Sequence, residues 1–168
     1  LFTTFLGGLI SAYVLNLFQA TLSEFATIVF FIPFVLGLAG NVGIQGSTVI
    51  VRGLATGDIQ DDNLLTVVKS ELLVGISNGV IFGLLCGGLV TLVAEQVLKS
   101  NPLLGLVVGA GIVLAVGIAA VIGSTAPILF LKANIDPAIS AGPFVTITND
   151  IAGIAVYLAT ASYIYSFV

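Results

Sequence analysis

Apolar residues run along this chain in blocks far longer than the core element of a soluble domain uses. Charge-free stretches cover 1–23, 25–51, 72–94, 100–131 and 137–149, the last resuming at 151 and continuing to the end. A helix of about 20 apolar residues crosses the hydrocarbon core of a bilayer. Backbone groups in lipid have to be satisfied internally, and for a single segment only a helix does that. The pattern predicts an all-α, polytopic integral membrane protein with five transmembrane helices, at about 1–18, 25–51, 70–94, 102–131 and 138–167.

The breaks carry their own signals. "QATLSEF" is polar, and Ser23 or Thr21 is expected to cap the next helix. "RGLATGDIQDDNLLTVVKSE" (52–71) holds six of the twelve charged residues and is expected to include a short interfacial helix. "EQVLKSNP" sets a proline after a polar turn, and "KANIDP" offers Pro137 as a helix-starting residue. The second span holds Pro33, Gly37, Gly40, Gly43 and Gly46 around Asn41 and Gln45, a composition that suits either irregular backbone lining a wet cavity or close packing of another helix against its small residues. In the third, Gly75, Gly79, Gly83 and Gly87 recur every four residues, a smooth face for close approach of another helix.

Composition narrows the class. The 168 residues are 58% hydrophobic and 7% charged, against roughly a quarter charged in soluble domains. The net charge of −4 carries no basic patch, which excludes nucleic acid as a partner and leaves the lipid bilayer as the expected surroundings. Basic residues in the loops, Arg52, Lys69 and Lys132 against Lys99, predict a cell (cytoplasmic or inner) membrane orientation with the N-terminus inside and the C-terminus outside. Cys86 is alone, so no internal disulfide is expected. The chain starts inside an apolar stretch, without a basic region or cleavage site that would mark a signal peptide, and is expected to be part of a longer protein.

Asp150 is the residue that composition does not account for. The nearest basic residue is Lys132, eighteen positions earlier. An ionised Asp at mid-membrane costs on the order of 3 kcal/mol on insertion scales, so such acids face a bundle interior or a wet cavity. Thr146, four residues before it, shares its helix face, which Gly153 and Tyr157 continue; Asn149 is expected at the edge of that face. Counting ~1.5 Å per residue, Asp150 lies roughly 20 Å from Asp136 and Asn41 roughly 16 Å from Arg52, so the two polar positions are expected at comparable depth. Glu71 heads the glycine face at its cytoplasmic end, either as an interfacial charge or as part of a mouth that takes the cation.

The chemistry of this belt is oxygen chemistry. There is no His, one Cys and a single acid at depth, so serine, zinc and paired-aspartate hydrolases lack their groups and no enzymatic activity is expected. Carboxylate, amide, hydroxyl and carbonyl oxygens suit hard cations, Mg²⁺, Mn²⁺ or Ca²⁺. Two copies of Asp150 in a two-fold homodimer would hold a cation that keeps its water shell. A purely structural Asp150–Asn41 hydrogen bond, and a subunit that only anchors and dimerises, are the alternatives.

"PFVLGLAGNVGIQGSTVIVRGLATGDI" (33–59), "ELLVGISNGVIFGLL" (71–85) and "DPAISAGPFVTITNDIAGIAVYLA" (136–159) resemble, in order and spacing, the transmembrane domain of the MgtE family of magnesium channels. The likeness covers essentially residues 1–168 as one pore domain. It implies a homodimer of five-helix subunits, with the ion path on the dimer axis between the second and fifth helices. It implies that Asp150 is the selectivity-filter acid and that the backbone at Thr146 faces a hydrated Mg²⁺. Asn41 is then the pore-lining amide of the second helix, and Asp136 an acid at the cytoplasmic mouth. Cytosolic N and CBS domains that sense Mg²⁺ are implied upstream or supplied separately, outside these residues. A secondary transporter exchanging Mg²⁺ for Na⁺ or H⁺ is the alternative mechanism.

Overall fold

Long charge-free stretches become long helices, and one of them becomes the axis on which the others pack. The computed structural model describes residues 1–60 and 62–167. The helices are α1 (Phe2–Leu17), α2 (Gln19–Glu24), α3 (Ile32–Thr56), α4 (Leu64–Ala94), α5 (Leu103–Lys132) and α6 (Val145–Tyr165). A 3₁₀ segment, Ala26–Phe31, leads into α3, and the 3₁₀ turn Pro137–Ile139 with a wide turn at Ser140–Phe144 leads into α6. Helix α5 lies in the middle, against α3, α4 and α6, while α1 packs on α6. Its buried residues therefore surround it: Leu104, Val107, Val108, Ile112, Ala115, Val116 and Ala119 all belong to the main core.

The glycine face of α4 meets α5 along its length. A Cβ at Gly87 would stand 2.8 Å from the Gly105 carbonyl oxygen, one at Gly83 2.8 Å from that of Gly109, and one at Gly79 3.3 Å from that of Val113. No side chain fits in those gaps, so the backbones touch. Small residues supply this kind of association in lipid, where apolar side chains gain little from leaving a solvent as apolar as themselves.

Helix directions follow from contacts. Along α3 with its 3₁₀ lead-in, and α6 with the turn before it, Ser47 meets Ser140 (Oγ···Oγ 3.4 Å), Gly43 meets Asn149, Leu36 meets Gly153, and Tyr157 donates its hydroxyl to the Ile28 carbonyl at 2.9 Å. The numbers fall on one helix as they rise on the other, so the pair is antiparallel. On α1, Gly7 meets Ile147, and Phe25 beyond α2 stacks on Tyr165 at 3.7 Å, so α1 runs parallel to α6.

The structure departs from the sequence reading at several elements. Four helical segments are long and apolar enough to cross a membrane: Ala26–Thr56, Leu64–Ala94, Leu103–Lys132 and Pro137–Tyr165. The first expected span, about 1–18, is the single helix α1, Phe2–Leu17, but its 16 residues place it among the shorter apolar helices rather than the four long ones. Ser23 caps nothing downstream; its hydroxyl donates back to the Ala20 carbonyl at 2.8 Å. Of the two readings of the second span, close packing holds: a Cβ at Gly43 would meet Asn149, and one at Gly46 would stand 3.7 Å from the Gly123 backbone. Helix α3 runs unbroken through Gly37, Gly40, Gly43 and Gly46, and the irregular turn falls upstream at Ala26–Phe31. The polar segment 52–71 holds no separate interfacial helix among the described residues: α3 absorbs its start, α4 its end, and Gly57, at φ 78°, terminates α3 in the left-handed conformation that glycine adopts without penalty.

Candidate functional site

The ends of the turn before α6 set the site. Gly142 has a non-helical backbone (φ −122°, ψ −125°), and Pro143 follows it without an N–H to donate, so the chain bends there and α6 starts afresh. From that start, Thr146 and Asp150 lie one turn apart on one face. The Thr146 hydroxyl donates to the Gly142 carbonyl at 3.3 Å, closing the first turn over the bend.

Both residues open on a cavity of about 440 Å³ between α1 and α6. Its lining consists of Thr4, Gly7, Gly8 and Ser11 from α1 and Gly142, Pro143, Thr146, Ile147 and Asp150 from the α6 side. Asp150 is half-buried there, and no basic residue is in the lining. Water occupies about 30 Å³ per molecule in the liquid, so the space is enough for a cation with its first shell of waters. Gly7 is the point where α1 touches α6: a Cβ there would meet the Ile147 side chain, whose Cγ1 lies 3.1 Å away. Gly8 meets nothing within 4 Å.

The other expected site residues lie elsewhere. Asn41 is on the open face of α3 with Gln45, Thr48 and Arg52, all exposed, at helical spacing. The α3–α6 contacts set its level: it falls between Gly43, opposite Asn149, and Leu36, opposite Gly153, which is the height of Asp150. The two residues share a depth but not a cavity wall. Glu71, in the second turn of α4, is partly buried, and its Oε2 comes within 4.0 Å of a Cβ placed on Gly46. Asp136 is exposed, and its Oδ1 accepts the Ala138 N–H at 2.9 Å, capping the Pro137 turn. Among the described residues no three His, Cys, Asp or Glu side chains come together as a metal cluster.

Two features escaped the sequence reading. Asn149 is not at the edge of the Asp150 face but buried against Gly43, 2% exposed, with both side-chain atoms lacking hydrogen-bond partners. The α1 wall of the cavity was also missed, although Thr4, Gly8 and Ser11 spaced four and three apart are a faint signal of one small, polar face in an apolar helix.

Long apolar helices, with an acid set in a recess between two of them, define a multi-pass α-helical membrane protein. Comparison with known proteins resolves the class further. Residues 32–160 match the family model MgtE, described as a divalent cation transporter. The chain belongs to the MgtE family. It is 32% identical over 155 residues to the magnesium transporter MgtE of Bacillus subtilis, covering 92% of this chain and 33% of that protein. The magnesium transporters MgtE of Enterococcus faecalis, 33% identical over 155 residues, and of Thermus thermophilus, 33% identical over 156, are matched over 92% and 93% of this chain and 33% of each relative. The chain spans about one third of the length of these curated relatives.

Proposed function

We propose that this chain is the membrane pathway of a divalent cation transporter, carrying Mg²⁺ as its substrate. Asp150 is the acid that selects charge in this reading, and the cation passes with waters attached. The observation that carries it is the half-buried Asp150 in a cavity of about 440 Å³ with no basic residue in its lining. A carboxylate at membrane depth needs water, a proton or a cation. A hydrated Mg²⁺ answers that need without the large cost of stripping its shell.

The working unit in this reading is a homodimer whose two Asp150 side chains face one ion path. Its support is the open face of α3: Asn41, Gln45 and Thr48 are exposed at a depth where amides need polar surroundings, level with Asp150. The subunit crosses the membrane five times, with α1 and α2 together making the first crossing. Alone, α1 is about 24 Å long at 1.5 Å per residue, short of a ~30 Å core. Residues 2–25 nevertheless run beside α6 from the level of Gly142 to that of Tyr165. The basic loop residues orient the N-terminus inside. Asp136 and Glu71 attract cations toward the cytoplasmic mouth, and Mn²⁺ or Ca²⁺ are the competing substrates.

The experiment is Mg²⁺ flux into liposomes carrying the full-length protein. Asp150→Asn keeps the side-chain shape and removes the charge; flux is expected to fall by about tenfold or more, the scale of one lost charge-assisted interaction. Wild-type flux from that variant would overturn the reading. Collapsing the Na⁺ and proton gradients in the same assay separates passive conduction, which persists, from coupled exchange, which stops.

A further inference from the structure

The sequence and the family resemblance put α3 and α6 on the ion path; the cavity around Asp150 has α1 as its other wall. We propose that α1 contributes ligands to the path, with the Ser11 and Thr4 hydroxyl oxygens accepting hydrogen bonds from the water shell of the cation held at Asp150. The inference rests on the transport reading above and adds to it the face of a helix that the reading does not use.

Three observations converge. First, the α1 residues lining the cavity are its small and hydroxyl-bearing ones, Thr4, Gly7, Gly8 and Ser11, while its large apolar residues Phe5, Leu9, Tyr13 and Leu17 are exposed on the outside of the bundle. The helix thus has a polar side toward the acid and an apolar side toward lipid. Second, hydroxyls in these apolar helices commonly return to their own backbone. Thr91, Ser124, Thr125, Thr146, Thr148 and Thr160 each donate to the carbonyl four residues earlier. Ser11 is not among them, so its hydroxyl is available to the cavity. Third, Gly7 is in contact with Ile147 while Gly8 has nothing within 4 Å. The close approach at one glycine anchors the helix, and the gap at the next keeps the space beside Asp150 open.

The chemistry suits a hydrated dication. An ion of this kind offers the hydrogens of its bound waters, which carboxylate and hydroxyl oxygens accept. Asp150 on one wall and Ser11 with Thr4 on the other give acceptors on both sides of the shell, and the hydroxyls add no charge that would trap the ion.

The test uses the full-length protein in liposomes. A Cβ at Gly8 would have nothing within 4 Å, so Gly8→Leu projects its side chain into the cavity and is expected to fold, run as the wild-type oligomer and lose most Mg²⁺ flux. Ser11→Ala is expected to raise the Mg²⁺ concentration for half-maximal flux by about fivefold, one hydrogen bond of ordinary strength, with Ser11→Thr restoring it. Ser11→Cys in a Cys86→Ala background should react with a small charged methanethiosulfonate, and Mg²⁺ should slow that reaction. Wild-type conduction by a folded Gly8→Leu protein would overturn the assignment. So would a Ser11→Cys protein that does not label, or that labels equally with and without Mg²⁺, and this readout stands if Gly8→Leu fails to fold. Should Asp150→Asn abolish flux while these α1 variants behave as wild type, only the α1 assignment falls. Should Asp150→Asn conduct normally, the transport reading itself falls.

Discussion

Asn149 fills a notch that exists because residue 43 is glycine: a Cβ at Gly43 would run into the Asn149 carboxamide, with Cγ at 3.0 Å and Nδ2 closer still. The same notch is walled by α5, since the Ala119 carbonyl oxygen would stand 3.2 Å from that Cβ. Three helices therefore meet at one amide, next in sequence to the acid of the cavity. Because successive residues on a helix point about 100° apart, seating Asn149 against α3 turns Asp150 toward α1. The rotational setting of α6, and with it the direction of the acid, depends on this contact.

Gly43→Ala is expected to destabilise the bundle by about 1–3 kcal/mol, the usual range for overpacking a filled site. Unfolding temperature of the detergent-solubilised protein reads this directly. Combining it with Asn149→Ala should recover much of the loss, because the added methyl then occupies the space that the amide leaves. Simple additivity of the two changes would show that the contact does not couple α3 to α6.

Asn149→Leu is expected to leave stability unchanged or raise it by about 1–2 kcal/mol. Neither polar atom of the buried amide has a partner, and removing an unsatisfied polar group removes its desolvation penalty. A clear fall in unfolding temperature would mean that the amide is hydrogen-bonded in the assembled protein.

The α4–α5 seam allows a comparison between adjacent positions of identical chemistry. Gly87→Ala places a methyl 2.8 Å from the Gly105 carbonyl oxygen and 3.0 Å from the Gly109 Cα, whereas Gly88→Ala meets nothing within 4 Å. The first is expected to cost about 1–3 kcal/mol and the second to stay within about 0.5 kcal/mol. Equal effects in a heat-inactivation series would argue against direct backbone contact between these helices.

Tyr157→Phe removes a hydroxyl that is buried 129 residues away in sequence from its acceptor, the Ile28 carbonyl, at 2.9 Å. A loss of about 1 kcal/mol is expected, typical of one buried hydrogen bond. Hydrogen exchange should localise the effect to residues 26–31, the 3₁₀ segment that this bond ties to α6.

How much of this was legible beforehand varies by residue. The apolar runs identify membrane helices, because lipid leaves the backbone no other way to satisfy itself, and their length is written in the spacing of charges. The period-four glycines from Gly75 to Gly87 announce a close helix contact, and Gly83 and Gly87 meet Gly109 and Gly105. Asp150 is conspicuous as an unpaired acid in a stretch that lipid would otherwise claim. These are one-dimensional properties: each depends on a residue and its near neighbours, and the sequence by itself determines them.

What faces what is a different matter. Nothing local says that Asn149 turns inward and Asp150 toward α1, that α3 continues through four glycines, or that α1 walls the acid's cavity. Helices that are apolar on every side carry little amphipathic signal, so their rotation about their own axes is set by steric fit at a few points, such as Gly43 with Asn149 and Gly7 with Ile147. Those partners lie more than a hundred residues apart, and only the packed bundle brings them together.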